Sequence, residues 1–463
     1  MKIVWSAFLA FLLAVPAGRA AQPSMKAGFA KVIITPPVGT PMTGFGNRDY
    51  DPAGSKGIHD DLYARALFLT DGKERVLIMG FDLLFFSRDE ADRFKGAIGR
   101  GMDLSPRQIL LNTSHTHTGP KVGSWDYTPS DMLYLQFLEN AIVGAALEAK
   151  RSARDVTVWA GVTRSEVPMN RRKKLPNGIV DFAPNPGGPV CDMLPFCVFK
   201  DAAGKPVFIL FSTSCHPSTI KGDELSYLIS ADYPGVAQAR LDEYLGAPGS
   251  LFLQGAAGDA KASVIGKGQE HWRAGTWDDV AKVGGMLADE VKRGIASGLT
   301  PIEPALKVAT VEMEFPMILP MSRDELEAVV QKPVPHSESE PEAMRRWAKE
   351  KLTMLDRGYT LPKTVPVSAQ GVQIGRGLRL IGIEGEIVAE LGLQIIRFYK
   401  SGVTFPLGYT NGAQIYIPTS AMLDEGGYEV ESFWEYRHPA RLAKGIEQVL
   451  DKGLAELKAA GIE

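Results

Sequence analysis

Short runs of β-branched and aliphatic residues recur along the chain, and each is followed by a stretch with apolar positions three or four apart. Val76-Leu77-Ile78-Met79 is apolar throughout and reads as a buried strand. Ser87, with Glu90 three residues on, forms a capping box for the helix that follows. Ile109-Leu110-Leu111, residues 207–211 and Leu251-Phe252-Leu253 repeat the strand signal. Helical periodicity covers 134–153, 235–245, 276–296 with Thr276 at its head, and 439–459. Leu380-Ile381 leads through Gly385 into a further helix over 386–400. Strands alternating with helices predict an α/β fold, a layered domain with a mostly parallel or mixed sheet.

Two segments depart from that rhythm. Residues 321–362 are charged, carry Pro333, Pro335, Pro341 and Pro362, and hold a helical stretch at 342–356, so they read as a surface insertion. At the start, Lys2 precedes a largely apolar run from Ile3 to Val15, and Gly18-Arg19-Ala20 supplies small residues for cleavage. That order is a secretory signal peptide over 1–20, and the apolar run is shorter than the roughly 20 residues a spanning helix needs. The expectation is a secreted or periplasmic protein with one catalytic domain over 27–463 and no membrane span. No internal repeat is evident.

Composition narrows the classes. With 45% hydrophobic and 23% charged residues, the 463-residue chain sits near the globular average, which sets aside disorder, collagen and coiled coil. Lys and Arg number 51 against 54 Asp and Glu, so nothing in the charge favours nucleic acid as a partner. Three cysteines are too few for a disulfide framework, although Cys191 and Cys197 could pair across a short loop. Cys215, just past the 207–211 run, reads as a buried thiol.

Seven histidines occur, and their placement carries information. His115 and His117 stand in Ser114-His115-Thr116-His117-Thr118-Gly119-Pro120, directly after the Ile109 run. His216 follows the 207–211 strand, Asp259 the 251–253 strand, and Glu386 the 380–383 strand. Four ionisable clusters thus sit at the carboxyl ends of strands, where open α/β sheets bind ligands. Two imidazoles at i and i+2 on extended backbone point to one side, and with a distant third ligand they meet the needs of zinc. The alternative is that both are loop histidines capping backbone groups. His59, His271, His336 and His438 read as solvated or structural. Gly255-Ala256-Ala257-Gly258 is neither a dinucleotide fingerprint nor a P-loop, and reads as a turn that lets backbone approach a site. No Gly-x-Ser-x-Gly elbow occurs.

In combination these motifs resemble the neutral/alkaline, non-lysosomal ceramidase family. Ser114 to Pro120 is similar to that family's His-Thr-His block, and Gly57 to Ala66 to its Leu-Tyr-x-Arg-Ala segment. Asn170-Arg171, Asn185-Pro186, Cys215-His216-Pro217, Ser230-Ala231-Asp232, Gly385-Glu386, Tyr416-Ile417-Pro418-Thr419 and Tyr428-Glu429 follow in the family's order, over roughly 28–440. The resemblance implies a zinc amidase releasing a fatty acid from ceramide or another N-acyl substrate, small molecule or lipid. It implies one zinc ion held by His115, His216, Glu386 and Tyr416, with His117 beside the reacting carbonyl. It further implies that Arg171 and Tyr428 contact the amide and that Asp259 is the acid of the family's Gly-Asp-Val-Ser-Pro-Asn block.

That block is also where the chain departs. Gly258-Asp259 is followed by Ala260-Lys261-Ala262, so Lys261 stands in place of the family serine, where it could bind a substrate carboxylate or phosphate. The length also leaves no room for the C-terminal immunoglobulin-like domain of the ceramidases proper. The same metal site could serve an esterase or lactonase, or a zinc-containing binding protein without turnover. A lipid substrate would need an apolar channel, for which Met317, Ile318, Leu319 and Met321 are a candidate wall, and contact with a membrane surface stays open.

Overall fold

A computed structural model describes residues 25–46, 48, 53–124, 126–222, 224–334 and 341–463. The expected signal segment, residues 1–20, and His336 lie outside the described residues. The chain lays down β1 (Met25–Ile33), β2 (Tyr63–Thr70), β3 (Arg75–Phe81), β4 (Ile109–Thr113), β5 (Arg154–Arg164), β6 (Met193–Lys200), β7 (Pro206–Thr213) and β8 (Ser250–Gln254). In space they run β8-β7-β6-β5-β1-β2-β3-β4, and Thr300–Ile302 pairs onto β5 as a ninth strand. Helices α1 (Arg88–Met102) and α2 (Pro129–Arg151) cover one half of a face, α3 (Asp232–Leu245) and α4 (Trp277–Ser297) the other half.

The opposite face packs on a second sheet of β9 (Pro304–Pro316), β10 (Thr364–Gly375), β11 (Leu378–Ile383) and β12 (Val403–Leu407). That sheet is covered in turn by α5 (Arg323–Gln331), α6 (Pro341–Asp356), α7 (Ala389–Tyr399) and α8 (Ile446–Ala459). The layers are therefore helix, sheet, sheet, helix. Because both faces of the large sheet are covered, its strands read as continuous apolar runs instead of alternating ones. Leu77 and Met79 face the helices, while Val76 and Ile78 face the second sheet.

The sheets are mixed. Short links such as residues 71–74 and 201–205 cannot hold a crossover and force antiparallel neighbours. Parallel pairs form at β3/β4, β7/β8 and β11/β12, where the longer connections run. The large sheet also curls until its end strands meet. The Asn112 side chain on β4 accepts from Gln254 N on β8 at 2.7 Å and donates to Gly408 O, beyond β12, at 2.8 Å. One buried amide thereby ties together the carboxyl ends of three strands.

Several boundaries differ from expectation for identifiable reasons. Helix α2 starts earlier than predicted because Thr128 and Asp131 form a capping box and Pro129 fits the first turn. The closing helix begins at Ile446, not 439, since Pro439 and the left-handed Gly445 (φ 107°) keep the preceding segment out of the helix. Glu386 does not open a helix: Glu386–Ile387 is a two-residue strand, and α7 begins at Ala389. The three cysteines are free and buried, with no Cys191–Cys197 bridge. Cys197 lies between the two sheets, whereas Cys191 packs near Gly392 of α7. The expected insertion between β9 and β10 contributes α5 and α6, and Trp347 of α6 fixes it by donating to His438 O at 3.0 Å.

Burial raises the carboxyl of Asp82, just past β3, to about 6, although its Oδ2 accepts from Tyr63 N at 2.9 Å. A carboxyl raised on folding binds more protons in the native state, so its contribution to stability falls as pH rises from about 4 to about 6. Asp82→Asn is therefore expected to match the wild type at pH 4 and to be more stable at pH 7, by up to about 3 kcal/mol. Urea unfolding at both pH values checks this, and parallel pH curves for the two proteins would refute it.

Candidate metal centre

The carboxyl ends of the parallel strands converge on one spot. β4 delivers Ser114 to Thr118, β7 delivers His216, β8 the Gly255–Asp259 turn, β11 Glu386 and β12 Tyr409. The backbone details differ from simple alternation. His115 has left-handed backbone (φ 68°), so a turn, not extended chain, brings its ring toward His117, with centroids 4.9 Å apart. Glu386–Ile387 pairs in parallel with Tyr416–Ile417, and the register places Glu386 opposite Tyr416. Gly258 sits against that strand, where a Cβ would lie 2.8 Å from Glu386 O. The glycine-rich turn does bring backbone against the site.

Each imidazole spends one nitrogen on a main-chain carbonyl. Nδ1 of His115 bonds Leu84 O at 2.9 Å, Nδ1 of His117 bonds Gly44 O at 2.6 Å, and Nδ1 of His216 bonds Ala257 O at 2.6 Å. A carbonyl only accepts, so each Nδ1 carries the proton and each Nε2 keeps its lone pair. One ring nitrogen from each of the three lies within 4.8 Å of the others. Glu386 Oε2 stands 3.3 Å from His115 Nε2 and 3.4 Å from His216 Nε2, and the Tyr416 hydroxyl is 3.2 Å from His216 Nε2. The Nε2 of His117 is buried and has no hydrogen-bond partner among the described residues.

Electrostatics suit a cation. Desolvation lowers all three imidazoles, His216 to about 3, so they are neutral at physiological pH. Burial works against the Glu386 carboxylate, yet the neighbouring imidazoles and the Tyr436 hydroxyl bring it down to about 2. Tyr409 also donates to Glu386 Oε2, at 3.1 Å, and Tyr436 to Oε1. Three lone pairs, a carboxylate and a phenol facing one point fit a divalent metal with nitrogen and oxygen ligands.

Around this centre, Arg171 donates to the Tyr416 hydroxyl at 3.1 Å and to Glu429 Oε1 at 2.8 Å, and Arg172 donates to Glu429 Oε2 at 2.7 Å. Tyr428 donates to Glu435 at 2.9 Å. A cavity of about 670 Å³ opens above the cluster, lined by His115, His117, Arg171, Lys261, Glu386, Tyr416 and Tyr428 among others. Its apolar wall is Phe45, Leu84, Phe85, Val122, Trp347 and Trp434. Met317, Ile318, Leu319 and Met321 do not line it: Met317 is buried in the core and Leu319 is 81% exposed.

Asp259 also stands apart from the cavity. Its Oδ1 accepts from Ala389 N at the start of α7 (2.7 Å) and its Oδ2 from Asn170 (3.1 Å), with burial raising its carboxyl to about 7. Both of its carboxylate oxygens are thus bonded, one to α7 and one to the strand that carries Arg171. Asp60 and Asp232, in two of the motifs singled out by resemblance, likewise brace the His216 loop: Asp60 accepts from Ala231 N and Asp232 from Thr219. Sequence reasoning missed Tyr409 and Tyr436, which hold Glu386. It passed over Glu429 although the residue stands beside Tyr428.

No family model matches the chain, and no curated protein matches it in sequence. Solved structures do. A ceramidase complexed with C2 superposes with a TM-score of 0.69 at 16% identity, covering 95% of this chain and 76% of that one. The neutral ceramidase from Pseudomonas aeruginosa gives the same score at 15% identity, covering 95% and 75%. The chain has a neutral ceramidase-like fold.

Glu429 neutralises two buried guanidinium groups at once. Glu429→Ala is expected to destabilise the protein by about 3–5 kcal/mol, because it leaves buried charge uncompensated. Chemical denaturation monitored by tryptophan fluorescence measures this, and a loss under about 1 kcal/mol would show that the carboxylate is not what holds the pair.

Proposed function

We propose that the chain is an exported zinc-dependent hydrolase of the neutral ceramidase type, cleaving an N-acyl amide. The observation that carries this reading is the convergence of the histidine Nε2 lone pairs and Glu386 at the floor of a cavity with an apolar wall. The ceramidase-like fold supports it. Export rests on the signal segment, and no helix among the described residues is long and apolar enough to cross a membrane.

His115, His216, Glu386 and Tyr416 would hold zinc, a set supported by the contacts of Glu386 with both histidines and of Tyr416 with His216. Bound there, zinc supplies a Lewis acid that polarises a carbonyl and lowers the pKa of water toward 7. His117 lies outside the Glu386 contacts, and its orphaned Nε2 can take up a proton and pass it to the departing amine. Arg171 and the Tyr428 hydroxyl, both in the cavity wall, would steady negative charge on the carbonyl oxygen. Phe45 and Phe85, packed against His117 and His115, exclude water beside the reacting bond and would receive the acyl chain.

Elemental analysis of purified protein tests the assignment. The wild type is expected to hold about one zinc per chain, and His115→Ala and His216→Ala to lose it. His117→Ala should keep the metal while N-acyl amide hydrolysis falls about 10²–10⁴-fold. A wild type that takes up no zinc when it is supplied would remove the catalytic reading.

A further inference from the structure

The three imidazoles of the centre are not held in the same way. The carbonyls that receive the Nδ1 protons of His115 and His216 belong to Leu84 and Ala257, each just past a strand of the large sheet. The acceptor for His117 is Gly44 O, in irregular backbone between β1 and β2. Gly44 is left-handed (φ 109°), and a Cβ there would lie 3.0 Å from His117 Cα. Glycine lets the chain come that close. Strand-like pairing nearby amounts to a single bridge, Met42 to Pro120, so the Gly44 carbonyl needs another support.

Arg48 supplies it. Only 1% of this residue is exposed. Its Nη2 donates to Thr43 O at 2.7 Å and to His117 O at 2.6 Å, and its Nη1 donates to Ser226 O in the helical turn Glu224–Tyr227. The guanidinium therefore grips the peptide that joins Thr43 to Gly44 and the main chain of His117 at once. A closed circuit results: from the His117 ring to Gly44 O, along the chain to Thr43 O, through Nη2, and back to His117 O. The Phe45 ring packs on both groups, its centroid 5.0 Å from that of His117 and 5.0 Å from the guanidinium carbon. A planar fork serves these carbonyls from two adjacent nitrogens, a geometry that a lysine ammonium on its flexible stem does not reproduce.

We propose that Arg48 is the positioning residue of His117. It holds Gly44 O on Nδ1, which keeps the imidazole in one tautomer and one orientation and leaves the Nε2 lone pair available. The hydrogen bond made at one ring nitrogen decides which nitrogen carries the proton. The bonds of Arg48 to Thr43, His117 and Ser226 involve none of the four residues assigned to zinc, so its loss acts on proton transfer and not on the metal. The inference rests on the reading of His117 as the group that passes a proton to the departing amine.

The test uses the full-length protein supplied with zinc, and N-lauroylethanolamine as substrate. In Arg48→Lys, kcat is expected to fall about tenfold or more, with KM and zinc content close to those of the wild type. Arg48→Ala should lose at least as much and recover with millimolar guanidinium but not with methylammonium, a rescue that general loss of folding would not show. Nitrogen NMR of metal-free, histidine-labelled protein gives a readout independent of turnover. The wild type should show His117 protonated at Nδ1 alone, and both Arg48 variants a mixture of the two tautomers. Gly44→Ala disturbs the same bond while keeping the guanidinium, and should give the same mixture. An unchanged tautomer in the Arg48 variants, or a fall in activity that follows loss of zinc, would overturn the proposal. Absence of hydrolysis by the wild type would count against the amidase reading alone, and the tautomer measurement would then decide the role of Arg48.

Discussion

Three imidazoles and a carboxylate can be buried side by side only if their ring N–H groups and the carboxylate oxygens are given partners. Main-chain carbonyls at Leu84, Gly44 and Ala257 make that assignment. They take the Nδ1 protons, fix the tautomers and leave the Nε2 lone pairs facing inward. Those carbonyls belong to segments that follow or flank different strands, so the fold must hold them in register before the centre can exist. The helix–sheet–sheet–helix layering provides the rigidity, and Asn112 joins the strand ends from which the donors project.

Charge is managed outward from that centre in shells. Glu386 is held by two tyrosines, Tyr416 by Arg171, Arg171 by Glu429, and Glu429 by Arg172. Apart from the half-buried Tyr436, each of these groups is buried beside the one that compensates it. Glu386, Tyr409, Tyr416, Glu429 and Tyr436 all come from the last hundred positions of the chain.

Much of this was legible in the sequence because strand ends are marked by local chemistry. His115, His216 and Glu386 each follow an apolar run closely enough that the run itself locates them. The alternation of strands and helices gave the layered class, since both-sided burial leaves a continuous apolar signature. What was not legible depends on distance or on backbone hand. Nothing local announces that Tyr409 and Tyr436 reach the Glu386 carboxylate, nor that His115 turns left-handed. Asp259 looks catalytic in sequence because it is an acid beside a site, and only the packing shows that its oxygens face α7 and Asn170. The unpatterned stretch at 317–321 resembled a channel wall, but the side chains that shape the cavity come from loops far apart in sequence.

The segment between β9 and β10 gives the molecule a division of labour. Helix α6 contributes Ala343, Arg346, Trp347 and Glu350 to the mouth of the cavity, yet it hangs between β9 and β10 and supplies nothing to the floor. The part of the protein that meets an incoming molecule and the part that would act on it thus come from separate stretches of the chain. Related chains could exchange or reshape the first without disturbing the second, so what is admitted can drift while the chemistry stays fixed.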